Sequence, residues 1–257
     1  MKDDALSSSA PEVGLPDAWP PRVIGFDGDV TLWHSESLFS MTQGRFRMLL
    51  MHHVDLPSTL IDARLVETVQ RNLSVYGHGI KGFVLSMVET AIAVTDERIP
   101  AQDIRTIPSF GRTMLEYPVE LVEGAREVLE SLRARDHELW LVADGDVFDQ
   151  ESKLARSGLA PLFRHVEIVT EKDEDTYRRL LNWYGVLPEE FAMVGNALRS
   201  DVLPVVGIGG RAFHVPDQVT FGSDVAGAGA AHEGAFQTLA NLGSLLRALD
   251  TAEVEVP

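Results

Sequence analysis

Two aspartates and a threonine stand at alternate positions in Phe26-Asp27-Gly28-Asp29-Val30-Thr31-Leu32, directly after the apolar run Val23 to Phe26. A buried strand over that run would carry both acids to the loop at its carboxyl end, the edge at which open α/β sheets bind ligands. One carboxylate placed there is able to attack phosphorus while its neighbour two residues on gives and takes protons. Together they can also hold a divalent metal against a phosphate. The signature Asp-Gly-Asp-Val recurs at Asp144 to Val147, again after an apolar run. The first copy is the better nucleophile loop, because too little chain follows the second to supply further motifs. Neither copy is a calcium loop of the helix-loop-helix kind. Leu32 and Leu38 in one, Asp149 and Ala155 in the other, occupy the positions that need glycine and glutamate.

The elements that must position these acids follow from periodicity. Apolar residues three and four apart predict helices over Ser37 to Val54, Ser58 to Ser74, Ile80 to Ile92 and Ala101 to Leu115, with breaks at Pro57, Gly77-His78-Gly79 and Pro100. From Pro118 the pattern alternates: helix Gly124 to Arg135, strand Glu138 to Val142, helix Gln150 to Ser157, strand Val166 to Val169, helix Asp175 to Tyr184, strand Phe191 to Val194. Strands separated by helices of this length imply parallel βαβ units. The expected fold is therefore α/β: a Rossmann-like parallel sheet with helices on both faces, interrupted by an all-helical insert. Residues 1–20, with three consecutive serines and several prolines, are expected to be a flexible tail. The core takes residues 21–36 and 117–257, and the helical insert residues 37–116. Near the end, Phe236, Leu239, Leu242, Leu245, Leu246 and Leu249 read as a closing amphipathic helix, reached through a glycine-alanine run at Ala226 to Ala231.

Composition narrows the classes. A net charge of -17 argues against nucleic acid as a partner. No apolar run approaches membrane-spanning length, and the first twenty residues lack the pattern of a signal peptide, so no membrane partner and a cytoplasmic location are expected. The absence of cysteine excludes disulfides, thiolate metal sites and thiol nucleophiles. The charge is uneven: Trp33 to Glu116 holds eight Lys or Arg against nine acids, so nearly all the excess lies elsewhere. An anionic small molecule would meet least repulsion there, although an ordinary solvated helix surface explains the same counts. His52 and His53 read as surface or packing residues of the insert. The stretch Tyr76 to Phe83 serves either as a plain turn or as a loop facing substrate. Oligomeric state leaves no mark in the sequence.

Taken in order, these motifs resemble those of the haloacid dehalogenase-like hydrolase superfamily, in particular phosphatases with a helical cap inserted after the first motif. The resemblance covers residues 22 to 216 and rests on Asp27, Asp29 and Thr31, then Lys172, then Gly195-Asn196-Ala197-Leu198-Arg199-Ser200-Asp201. It implies a small-molecule phosphate ester as substrate and an aspartyl-phosphate intermediate on Asp27. Asp29 would be the acid and base, and Lys172 would neutralise the nucleophile and a phosphoryl oxygen. Thr31 would orient the loop. Mg²⁺ would be held by Asp27, the main-chain carbonyl of Asp29, and Asn196 with Asp201. Phosphate would be bound among Thr31, Ala143, Asp144, Gly145 and Asn196. Two plainer roles stand beside these: Lys172 as a solvated lysine among acids, and Asp201 as a helix cap.

The pattern departs from the family at the second motif. A Ser or Thr hydroxyl is expected at the end of strand Glu138 to Val142, where this chain has Ala143, and Asp144 adds a negative charge beside it. Asn196 and Ala197 likewise replace a commoner acid and serine. A missing oxyanion donor typically costs about 10² to 10³ in rate. The alternative reading is therefore a weakened or inactive relative that retains metal or anion binding.

Overall fold

The computed structural model describes residues 20–216 and 236–252. The expected tail, apart from Pro20, and the run Ala226 to Ala231 lie outside them. Six strands, β1 (Val23–Phe26), β2 (Glu138–Asp144), β3 (His165–Val169), β4 (Phe191–Gly195), β5 (Arg211–His214) and β6 (Gln237–Thr238), form one parallel sheet in the order 3-2-1-4-5-6. β1 is central and all four of its residues are buried, which is why it reads as an unbroken apolar run. The chain leaves β1 towards β2 on one side and later returns to β4 on the other. This reversal opens the crevice in which doubly wound sheets hold ligands.

β2 shows how the two faces are filled. Leu139, Leu141 and Ala143 join Val128 and Leu129 of α5 (Ala125–Ala134), Leu154 of α6 (Val147–Ser157), and Leu245 and Leu249 of α9 (Leu245–Ala252). Trp140 and Val142 point the other way, onto Tyr177 and Leu181 of α7 (Glu174–Tyr184) and Val205 of α8 (Leu203–Gly207). This two-residue alternation of a strand covered on both faces decides which β2 side chains can reach the site.

The named elements between β1 and α5 are all helices: α1 (Glu36–Leu50), α2 (Ser58–Tyr76), α3 (Ile80–Val94) and α4 (Ala101–Glu116). These four pack around their own apolar cluster, in which Phe46 and Leu50, Ile61 and Leu65, and Met87 and Ala91 are pairs four apart on one helix face.

Most element ends differ from the expectation by one or two residues, and α1 stops at Leu50 instead of Val54. β2 runs on to Asp144, and α6 starts at Val147 instead of Gln150, because the Asp146 carboxylate accepts the Asp149 amide at 3.1 Å and caps the helix. β5 and β6 were not foreseen. The closing segment is an edge strand at Gln237–Thr238, a short 3₁₀ turn and then α9, rather than one helix from Phe236. Asn241 breaks it by accepting the Ser244 amide at 3.0 Å. Its apolar residues Leu239, Leu242, Leu245 and Leu249 are nonetheless buried, as the periodicity required. No helix among the described residues is long and apolar enough to cross a membrane.

Candidate active site

The loop after β1 is fixed from both sides. The Asp27 amide donates to the Val194 carbonyl of β4 at 2.9 Å, and the amides of Leu32 and Trp33 donate back to the Gly28 carbonyl at 2.9 and 3.3 Å. Only glycine fits at position 28, where a Cβ would lie 2.6 Å from the buried Trp33 ring. Val30 sits at φ 68°, a left-handed conformation that a β-branched residue adopts only at a cost of order 1–3 kcal/mol. That kink separates Asp29 from Thr31. Thr31 is fully buried and its hydroxyl donates to Asp27 Oδ2 at 3.2 Å, so it lies beneath the first carboxylate.

Lys172, three residues past β3, is the hub. Its Nζ donates to Asp27 Oδ1 at 2.5 Å and Asp201 Oδ1 at 2.7 Å, and lies 3.2 Å from Asp144 Oδ1. Ammonium and nucleophile candidate are both buried, which removes the solvated-lysine alternative. One cation among three carboxylates leaves an excess of negative charge. Burial pushes the Asp27 carboxyl up to about 8, the charges of Asp201 and Asp144 push the same way, and Lys172 opposes them. Burial alone would lower Lys172, but the carboxylates of Asp201 and Asp27 outweigh it and hold the ammonium well above its usual range.

Asp29 is held differently. Lys153 Nζ lies 3.0 and 3.1 Å from its two oxygens, Gln150 Nε2 donates at 2.7 Å and Trp33 Nε1 at 2.9 Å. Burial works against ionisation, but Lys153 and these hydrogen bonds prevail and keep the carboxyl below the ordinary range. Lys153 also pairs with Asp149 one turn earlier at 2.8 Å. Gln150, Lys153 and Asp149 were missed from sequence. Their one legible trace is the spacing of three and four on the helix that opens after the second Asp-Gly-Asp-Val.

The fourth motif folds over the end of β4. Asp201 Oδ2 accepts the Ala197 amide at 2.9 Å, so the capping reading of Asp201 holds together with its bond to Lys172. A Cβ at Gly195 would collide with the Asp201 carboxylate, which explains that glycine. The Asn196 carbonyl lies 3.0 Å from Nε2 of His214 on β5, and its side-chain oxygen is 3.5 Å from the Thr31 hydroxyl.

These groups line a cavity of about 560 Å³ between the sheet edge and the inserted helices. Asp27, Asp29, Asp144 and Gly145 open onto it, as do Lys172, Asn196 and Asp201. Ala143 does not. It is 1% exposed and packs with Leu139 and Leu141, so the alternation of β2 delivers Asp144 to the cavity and turns position 143 into the core. The expectation that position 143 faces phosphate is corrected accordingly. The α2–α3 turn joins two helices, and its Gly77, His78 and Gly79 line the cavity. It touches the core through Lys81, whose Nζ lies 2.9 Å from Asp146 Oδ2. His53 pairs with Asp103 at 3.0 Å, and neither His52 nor His53 lines this cavity.

Among the described residues no three Asp, Glu or His side chains are arranged as a metal shell, since the acids converge on Lys172. The oxygens of Asp27, the Asp29 carbonyl and Asn196 nonetheless suit Mg²⁺, which takes one or two carboxylates and keeps several waters. A divalent charge would also offset the excess of carboxylate.

Comparison with known proteins agrees with this geometry. A family model for haloacid dehalogenase-like hydrolases matches residues 21–206. A haloacid dehalogenase-like family hydrolase from Xanthomonas campestris superposes with a TM-score of 0.79 at 37% identity, over 95% of this chain and 98% of that one. The chain belongs to the haloacid dehalogenase-like hydrolases. Among curated proteins it is similar to a glyceraldehyde 3-phosphate phosphatase of Pyrococcus furiosus, 31% identical over 93 residues, which are 34% of this chain and 39% of that protein. It is also similar to the pyrimidine 5'-nucleotidase PynA of Streptococcus pneumoniae, 29% identical over 32% of this chain and 38% of that protein. The matched stretch spans less than half the length of either curated relative.

Proposed function

We propose that this chain is a Mg²⁺-dependent phosphatase that hydrolyses phosphate monoesters of small molecules by way of an aspartyl phosphate on Asp27. The observation that carries the reading is the pairing of Asp27 with buried Lys172 at 2.5 Å on the floor of a cavity that Asp29 also lines. The names of the two curated relatives, a sugar-phosphate phosphatase and a nucleotidase, support it.

In the first half-reaction an Asp27 oxygen forms a bond to phosphorus as the bond to the leaving oxygen breaks, and Asp29 passes a proton to that oxygen. In the second, Asp29 takes a proton from water, the water oxygen bonds to phosphorus, and the bond to Asp27 breaks to release inorganic phosphate. Mg²⁺, held by Asp27, the Asp29 carbonyl and Asn196 with Asp201 beside them, would supply the charge that lets an ionised Asp27 and a phosphate share a buried site. Lys172 neutralises Asp27 and, as the ester bond breaks, a phosphoryl oxygen. Lys153, Gln150 and Trp33 hold Asp29 as an acceptor, the state suited to the second half-reaction. Asp29 must leave part of that cradle to act as an acid.

A second reading, weakened catalysis with metal or anion binding retained, is favoured by one observation. Asp144 brings a third carboxylate within 3.2 Å of Lys172, where a phosphate has to compete with it. Hydrolysis of a simple aryl phosphate with millimolar Mg²⁺ and with chelator, in the parent and in Asp27→Asn, decides between them. The expected result is Mg²⁺-dependent turnover, lost by about 10³-fold or more in the variant, and a phosphoryl mass on the Asp27 peptide after acid quench. Turnover equal in both proteins would reject Asp27 as nucleophile. Inactivity of the parent would favour the weakened form.

A further inference from the structure

The cavity has two unlike halves. All its strongly charged groups lie on the sheet side, and both lysines there are already taken: Lys172 by Asp27, Asp144 and Asp201, Lys153 by Asp29 and Asp149. The opposite wall, supplied by the inserted helices, is apolar. Leu65, Val69 and Leu73 form a row four apart on α2, and Phe39 and Phe83 meet edge to face with ring centroids 5.2 Å apart. The polar groups of that wall are amides and hydroxyls, Gln43 and Gln70 among them, together with the ring of His78. Lys81 and Arg71 of the insert are held by Asp146 and Glu89 at 2.9 and 3.1 Å, and neither lines the cavity. Residues 217–235, outside the described set, contain no lysine or arginine.

A phosphate bound at Asp27 and Lys172 would extend its organic part towards this wall. A carboxylate or second phosphate there would lose water and find no lysine or arginine of the described residues on the wall, whereas an uncharged carbon skeleton with a few hydroxyl or carbonyl groups would be covered by apolar surface and met by amides. We propose that the inserted helices select phosphate monoesters whose organic part is uncharged, and that they reject esters with a second anionic group on that part. This substrate class rests on the phosphatase reading. The device is exclusion: a misplaced charge with no partner discriminates more strongly than an added favourable contact.

Phenyl phosphate and 4-carboxyphenyl phosphate isolate the wall, because they differ by one carboxylate and the carboxylated ester has the better leaving group. The parent should show kcat/KM lower for the carboxylated ester by about 10²-fold or more, against the chemical trend. Gln70→Arg, on an exposed wall position, and separately Val69→Lys, should each raise the ratio of carboxylated to neutral turnover by about ten-fold or more. A parent ratio near one, or a ratio that neither variant moves, would overturn the proposal and leave the phosphatase reading standing. If neither ester is hydrolysed, the phosphatase reading falls, and calorimetric binding of phenylphosphonate and 4-carboxyphenylphosphonate tests the wall by itself. Binding of phenylphosphonate tighter by ten-fold or more would support it. Equal affinity, the reverse preference or no binding of either would reject it.

Discussion

Asp27 holds a carboxyl that burial and two neighbouring carboxylates push up to about 8, although an ammonium lies 2.5 Å away. The consequence for metal-free protein is a sloping stability. Below about pH 4 the carboxyl is protonated in both states, and its contribution to stability is complete. Between about 4 and 8 the unfolded chain releases a proton that the folded protein keeps, so stability falls as pH rises, by up to about 1.4 kcal/mol per unit. Asp27→Asn has nothing to titrate there. In chelator, urea unfolding from pH 5 to 8 should show the parent losing stability relative to this variant, and millimolar Mg²⁺ should flatten the parent's slope. Parallel curves for the two proteins would show that Asp27 is ionised throughout. Asp27, Asp29 and Thr31 were legible because their message is local, an alternation after an apolar run. Lys153 and Gln150 were not, because the carboxylate that gives them meaning lies 124 and 121 positions away. Ala143 was misread for a subtler reason. Whether a strand residue faces site or core depends on parity along the strand, and sequence alone did not determine which β2 residue occupies the cavity edge.

Among the elements, the four inserted helices were read to within two residues at seven of their eight ends, because each keeps an apolar stripe over three or more turns and Pro57, Gly79 and Pro100 precede three of them; α1, with no such mark at its end, stops at Leu50 instead of Val54. β5 and β6 escaped for the opposite reason. One is four residues with an arginine and a histidine at its ends, the other is two residues long, and neither shows a period. The contact between α3 and α4 offers a test of how tightly the insert is packed. A Cβ at Gly111 would lie 2.6 Å from Cγ2 of Val84, whose branched side chain has one favoured rotamer in a helix. Gly111→Ala should gain up to about 1 kcal/mol in helix propensity and lose about 1–3 kcal/mol to overpacking. The expected outcome is a net loss. In a Val84→Ala background the same change should become neutral or stabilising. A stabilising effect of Gly111→Ala alone, measured by denaturant unfolding, would show that the helices separate freely.

At the scale of the molecule, the insert and the sheet have separate apolar clusters. They are joined by two chain crossings near Trp33 to Glu36 and Glu116 to Pro118, and by contacts such as Lys81 to Asp146. We expect the insert to act as a cap that opens and closes over the cavity. Native-state hydrogen exchange should then resolve two cooperative units, α1–α4 and the sheet with its helices, and one shared opening free energy would count against this. The net charge of -17, which argues against nucleic acid as a partner, was readable from composition. The four-helix insert was readable only as a block of helical period between two strand patterns. The strand order bears on how such a molecule is made. β1 leaves the ribosome first, yet it is the middle of the sheet, and its partners β2 and β4 begin at Glu138 and Phe191. Until then the nascent chain carries an apolar strand with two open edges and an aspartate whose counter-ion lies 145 residues downstream. The four inserted helices, whose contacts are local, can assemble meanwhile. An insert that folds before β2 and β4 are made would leave β1 unpaired in the meantime, open to pairing with another exposed edge.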